Sequence, residues 1–180
     1  MFRFWTGDDT DGTITIDDRG FLYVASELER FTTTGLNNGQ LMKLDPRNAE
    51  DPIVWSVAVT EEGRDGNGGL FSTPALAGPY LYATTNAGSL IAVRRDDGQI
   101  AWRIELPDPT WSSPVVVDDV LVVGDCAGVL HGYAVSSPGR YPTELWKVQL
   151  DGCIEATPAV WKGRIYVGTR EGPIYALGDA

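Results

Sequence analysis

At 180 residues, with 43% hydrophobic and 22% charged side chains, the chain can build the core of one domain or of two small ones, which excludes a disordered protein. A net charge of −11 excludes nucleic acid and anionic membrane surfaces as main partners, because both need a basic face. One His leaves no imidazole metal cluster, and no run of eighteen apolar residues could cross a membrane as a helix.

The chain opens with Met1 to Asp11, MFRFWTGDDTD, which has neither an apolar stretch nor a small-residue cleavage site of a signal peptide. The expectation is a cytosolic chain or one that begins inside a longer protein. Asp9, Asp11 and Asp18 invite a calcium-loop reading. Aligned on Gly12, however, the first ligand position of such a loop falls on Gly7, so the stretch reads as an acidic turn and no metal is expected.

After Trp5 come Gly12 to Thr15, then Tyr23 eight residues beyond Thr15, then Gly39. Trp55 leads to Ser72-Thr73-Pro74, Tyr82 and Gly88. Trp102 leads to Ser112-Ser113-Pro114, Val122 and Gly128, and Trp146 leads to Ala156-Thr157-Pro158, Tyr166 and Gly172. In the last three copies the Pro-to-Tyr/Val interval is 8 residues and the next interval to Gly is 6. The first copy carries about ten extra residues, Glu27 to Asn38, and the second about seven, Glu61 to Gly69.

The apolar runs inside each unit are short and rich in β-branched residues, such as Val120 to Val123 and Val129 to Tyr133, and none has a helical period. The separators Asp118-Asp119, Asp97-Gly98, Lys162-Gly163 and Ser137-Pro138-Gly139 suit tight turns. Four strands per unit at a period near 40 to 45 predict an all-β fold, a β-propeller of about four four-stranded antiparallel blades. The repeats span 1–48, 49–97, 98–140 and 141–180 of a single propeller segment. Trp5, Trp55, Trp102 and Trp146 recur with the blades and are predicted to be structural.

This pattern resembles the PQQ-like (quinoprotein-type) propeller repeat, best in Thr157-Pro158-Ala159-Val160, in Ile165-Tyr166-Val167-Gly168 through Glu171-Gly172-Pro173-Ile174-Tyr175-Ala176-Leu177, and in Ser112-Ser113-Pro114-Val115-Val116. The resemblance implies a ring of seven or eight blades, of which four are about half, so missing upstream blades or a homodimer are expected. It implies one of two activities. The enzymes of the family oxidise alcohols or sugars with pyrroloquinoline quinone and calcium. The other branch resembles the lipoprotein scaffold of outer-membrane barrel assembly, which binds protein or polymer and needs no cofactor. Many of the alcohol-oxidising enzymes carry two adjacent cysteines, whereas Cys126 and Cys153 lie apart, and no haem motif is present. The reading adopted is a non-enzymatic binding scaffold of the cell envelope, periplasmic or extracellular, with the quinone- and calcium-dependent dehydrogenase as the alternative.

In an up-and-down blade, the turns after the second strand share a face with the connections between blades. Both insertions therefore fall on one face, and propeller function sits in such loops. The candidate binding residues there are Glu27, Arg30, Asn37 and Asn38 from the first insertion, Glu61, Asp65 and Asn67 from the second, and Trp111 nearby. No catalytic set is assembled, because His131 occupies a strand position and has no Ser partner. Cys126 and Cys153 both lie in loops of that face on adjacent blades, which predicts a disulfide and an oxidising compartment.

Overall fold

The short apolar runs pair into antiparallel sheets in the computed structural model, which describes residues 1–136 and 139–178. The separator at Ser137 and Pro138 lies outside the described residues. β1 (Thr15–Ile16) and β2 (Leu22–Ala25) lead into the first insertion, which holds β3 (Glu27–Leu28) and α1 (Thr33–Asn38). β4 (Leu41–Leu44) and β5 (Ile53–Val57) then complete a sheet of order β1-β2-β4-β5. The second insertion contains β6 (Gly68–Gly69). β7 (Ala75–Ala77), β8 (Tyr80–Thr84), β9 (Ser89–Arg94) and β10 (Ile100–Glu105) form the second blade. β11 (Val115–Val117), β12 (Val120–Gly124), β13 (Val129–Ala134) and β14 (Thr143–Gln149) form the third. The fourth has three strands among the described residues, β15 (Ala159–Trp161), β16 (Arg164–Gly168) and β17 (Ile174–Leu177).

The sheets are offset from the sequence repeats. Each Trp-bearing strand hydrogen-bonds into the sheet that precedes it, so β5 with Trp55 closes the first blade although it opens the 49–97 repeat. A helix also stands where the sequence shows no helical period. α1 is a single capped turn: Thr32 Oγ1 accepts from the Gly35 amide at 3.0 Å and donates to the Gly7 carbonyl at 2.6 Å. A cap and a tertiary contact suffice for six residues, which are too few to express a period.

Alternation along the strands sorts side chains between neighbouring blades. Tyr23, Ala25, Leu41 and Trp55 of the first blade meet Leu81, Ala83, Ile91 and Val93 of the second. The opposite face of the second blade, with Tyr82, Leu90, Trp102 and Ile104, meets Leu121, Val123 and Tyr133 of the third. Val122, Leu130 and Trp146 then meet Ile165, Val167 and Leu177 of the fourth. Each fully buried Leu in these layers contributes on the order of 2 kcal/mol. The Ser-x-Pro segments join the blades at their first strands. The Ser113 hydroxyl accepts from the Thr73 amide at 2.9 Å, and the Ser112 hydroxyl donates to the Ala156 carbonyl at 3.0 Å.

Trp55 and Trp102 are buried and Trp146 is half-buried between blades, but Trp5 is 67% exposed. The expectation of four equivalent structural tryptophans is therefore corrected for Trp5. The strand on which it would be buried needs a preceding sheet, and its segment instead lies along the outer face of the first blade, where Phe2 and Phe4 cover Val24, Met42 and Leu44. At the other end, the outward positions of the fourth blade are bare: Trp161 is 65% exposed and Ile174 82%. Among the described residues the outer face of the fourth blade is thus bare, whereas the N-terminal segment covers that of the first.

Candidate functional site

The two insertions meet. β3 pairs antiparallel with β6, with Glu27 opposite Gly69 and Leu28 opposite Gly68. Gly69 has φ +83°, and a Cβ there would stand 2.6 Å from the Ser26 carbonyl oxygen, so this close approach requires glycine. Side chains extend the junction: Asn67 Nδ2 donates to Glu29 Oε1 at 3.0 Å, and Asn86 Nδ2 donates to Asp65 Oδ1 at 2.9 Å and to the Asn67 carbonyl at 2.8 Å. Asn86 Oδ1 in turn accepts from Trp111 Nε1 at 2.6 Å. The indole is thereby held as one wall of a cleft of about 170 Å³, with Arg64, Asp65, Asp108 and Cys126 among its other walls. An Arg64–Asp108 ion pair at 2.7 Å crosses its rim.

The N-terminal segment straps the first insertion. Asp8 Oδ2 accepts from the amides of Glu29 and Arg30, Asp9 pairs with Arg30 at 2.7 Å, and the Asp9 carbonyl accepts from the Glu27 amide at 3.0 Å. Asn38 Nδ2 donates to the Trp5 carbonyl at 3.0 Å. Asn37 is exposed. Glu61 pairs with Arg103 at 2.9 Å; burial works to raise its pKa, and the guanidinium outweighs it and holds the carboxyl below its usual range.

Glu27 corrects the expectation of a surface-available carboxylate. It is 3% exposed, and its Oε1 has no hydrogen-bond partner. Burial first, then the nearby carboxylates of Asp11, Glu29 and Asp9, push its pKa up to about 8. Carboxylate oxygens of Asp9, Glu27 and Glu29 lie within 4.8 Å of one another. By sequence Asp9 reads as part of an acidic turn and Glu29 as an ordinary loop residue; the fold, and not a local motif, brings both to Glu27. Nor does the sequence mark Asn86, which sits in an ordinary Gly turn.

Cys126 and Cys153 are joined in a disulfide across 27 positions, tying the third blade's turn to the connection into the fourth. This bridge joins cysteines 27 positions apart, unlike the adjacent cysteines of the quinone enzymes. His131 is buried at 3% exposure, with Nε2 3.0 Å from Asp125 Oδ2 and its ring stacked on Tyr133. Its polar atoms are spent on holding a strand and a turn together.

Compared with known proteins, residues 37–141 match the family described as "Outer membrane protein assembly factor BamB". Over 130 residues, the chain is 31% identical to the BamB of Shewanella oneidensis, covering 67% of this chain and 32% of that protein. Against the Salmonella typhimurium BamB it is 28% identical over 141 residues, or 78% of this chain and again 32% of the relative. The chain thus spans about a third of the length of these relatives. Among solved structures, it is similar to BamB from Moraxella catarrhalis with a TM-score of 0.70 at 18% identity, covering 95% of this chain and 47% of that one. It is also similar to the computationally designed Ika4 protein, with a TM-score of 0.67 at 8% identity, covering 96% and 92%. At these identities the two structures speak for the propeller fold alone.

Proposed function

The chain belongs to the BamB family of PQQ-like repeat proteins, and from that premise we propose that it is a non-enzymatic scaffold of the cell envelope that binds other proteins through the face carrying its two insertions. The observation that carries this reading is the junction of β3 and β6 with the Asn67–Asn86–Trp111 chain. It turns two long loops into a fixed polar surface beside an aromatic-walled cleft, which is how rigid scaffolds present recognition residues. The relatives are named for outer membrane protein assembly, which supports a protein partner in the envelope. The Cys126–Cys153 bridge supports an oxidising compartment, periplasmic or extracellular. Among the described residues no helix is long and apolar enough to cross a membrane.

Photo-crosslinking tests the reading. A crosslinking residue placed at Arg30, Asp65 or Trp111 is expected to capture a partner protein in cells, whereas the same residue at Asp118 or Lys162, in turns of the opposite face, is not. Equal capture from both faces would overturn it. Turnover of alcohols or aldoses on adding pyrroloquinoline quinone and calcium would overturn the non-enzymatic part.

A further inference from the structure

We propose that the acidic knot between the N-terminal segment and β3 is a calcium site, formed by carboxylates of Asp9, Glu27 and Glu29 with Asp11 beside them. The observation pointing to a ligand is the orphaned Oε1 of Glu27. A carboxyl oxygen that is buried, without a donor and facing other carboxylates is costly to ionise, and a bound cation removes that cost. The three oxygens lie within 4.8 Å of one another. Ligands on opposite sides of a calcium ion at 2.3–2.6 Å are about 5 Å apart, so they fit around one ion.

The donors are all hard oxygens, which select calcium, magnesium or manganese over zinc or copper. They come from two separate segments, the 8–11 stretch and β3 with the residue after it. That origin suits the flexible geometry of calcium better than the strict octahedron of magnesium. Existing donors do not fill the knot: the Arg30 guanidinium engages Asp9 Oδ2 and Asp8, and the neutral Asn67 amide engages Glu29 Oε1, leaving Glu27 Oε1 unserved. The position also has a consequence. The knot lies where the first insertion is strapped to the N-terminal segment and, through the pairing of Glu27 with Gly69, to the second insertion. A cation there would fix the order of the insertion face. The proposal rests on side-chain geometry and stands apart from the scaffold reading and from any quinone.

Titration calorimetry of the chelator-stripped 180-residue chain with calcium chloride tests it, together with thermal unfolding. The expected result is one calcium per chain, with Kd between about 10⁻⁵ and 10⁻³ M, and a Tm rise of about 5 to 10 °C at a hundredfold excess over Kd. Glu27→Gln and Asp9→Asn are each expected to weaken binding at least about tenfold, since each removes one charged ligand. Glu27→Gln keeps the shape of the side chain and is expected to stay folded without the ion. Asp118→Asn, in a distant turn, is expected to bind as the parent chain does. Absence of binding up to about 10 mM calcium, magnesium binding as tightly, or equal loss in all three variants would overturn the proposal, the last because it would reduce the effect to net charge.

Discussion

Removing the Cys126–Cys153 bridge with the double substitution Cys126→Ala/Cys153→Ala is expected to destabilise the chain without changing its fold. The native contacts around the bridge persist without it: the Ile154 amide donates to the Asp125 carbonyl at 3.0 Å, the Cys126 amide to the Pro109 carbonyl at 3.0 Å, and the Leu150 amide to the Gly128 carbonyl at 2.8 Å. Ile154 is fully buried against Gly124, where a Cβ would approach its side chain to 2.2 Å, so the connection stays seated. The loss therefore arises in the unfolded ensemble, which regains the entropy of an open loop. With a sequence separation of 27, the chain-entropy relation gives about 3.5 kcal/mol. For a domain of this size, that corresponds to a fall in Tm of about 7 to 14 °C. The assay is thermal unfolding by circular dichroism of the oxidised chain, the reduced chain and the double variant, with thiol labelling of the denatured, unreduced chain. The reduced chain and the variant should melt together, below the oxidised chain. Two labelled thiols per oxidised chain, or identical melting of all three, would refute the reasoning.

Asp17→Ala is expected to cost about 3 kcal/mol in urea unfolding at pH 7, because the buried carboxylate accepts from the Phe21 and Arg19 amides, the Tyr23 hydroxyl and Arg95, and its removal strands their donors. Burial works to raise the pKa of Asp17, and the Phe21 amide and Arg95 outweigh it and hold the carboxyl below its ordinary value of 3.8. Its stabilisation is thus complete above that value and fades as pH falls through the lower, folded value, so the gap between parent and variant should narrow towards pH 2 to 3. An unchanged gap at pH 2 would contradict the assignment. The bare outer face of the fourth blade, with Trp161 65% and Ile174 82% exposed, and the edge of β17, unpaired among the described residues, lead us to expect self-association of the 180-residue chain. Light scattering should give a mass above 19.5 kDa for the parent and a monomer for Trp161→Asp/Ile174→Asp; a monomeric parent would count against a second copy as the occupant of that face.

The period of the Trp, Ser-x-Pro, Tyr and Gly positions determines the blades, because hairpins are local: β7 to β10 and β11 to β14 pair with their chain neighbours, and side-chain alternation alone decides which residues face which blade. The shared face of the two insertions was legible for the same reason, since strands that reverse at every turn leave no choice of side. Cys126 and Cys153 could be placed on that face as well. What alternation cannot give is distance and depth. Glu27 reads as one more loop carboxylate, and only the pairing of β3 with β6 and the strap through Asp8 and Asp9 bury it among other acids. Trp5 reads like Trp55 and Trp102, yet among the described residues it lies on no strand, and its segment turns Phe2 and Phe4 to the first blade and leaves the indole exposed. The local pattern of residues sets the strands, whereas contacts between segments far apart in the chain set burial and charge proximity, and with them the candidate site.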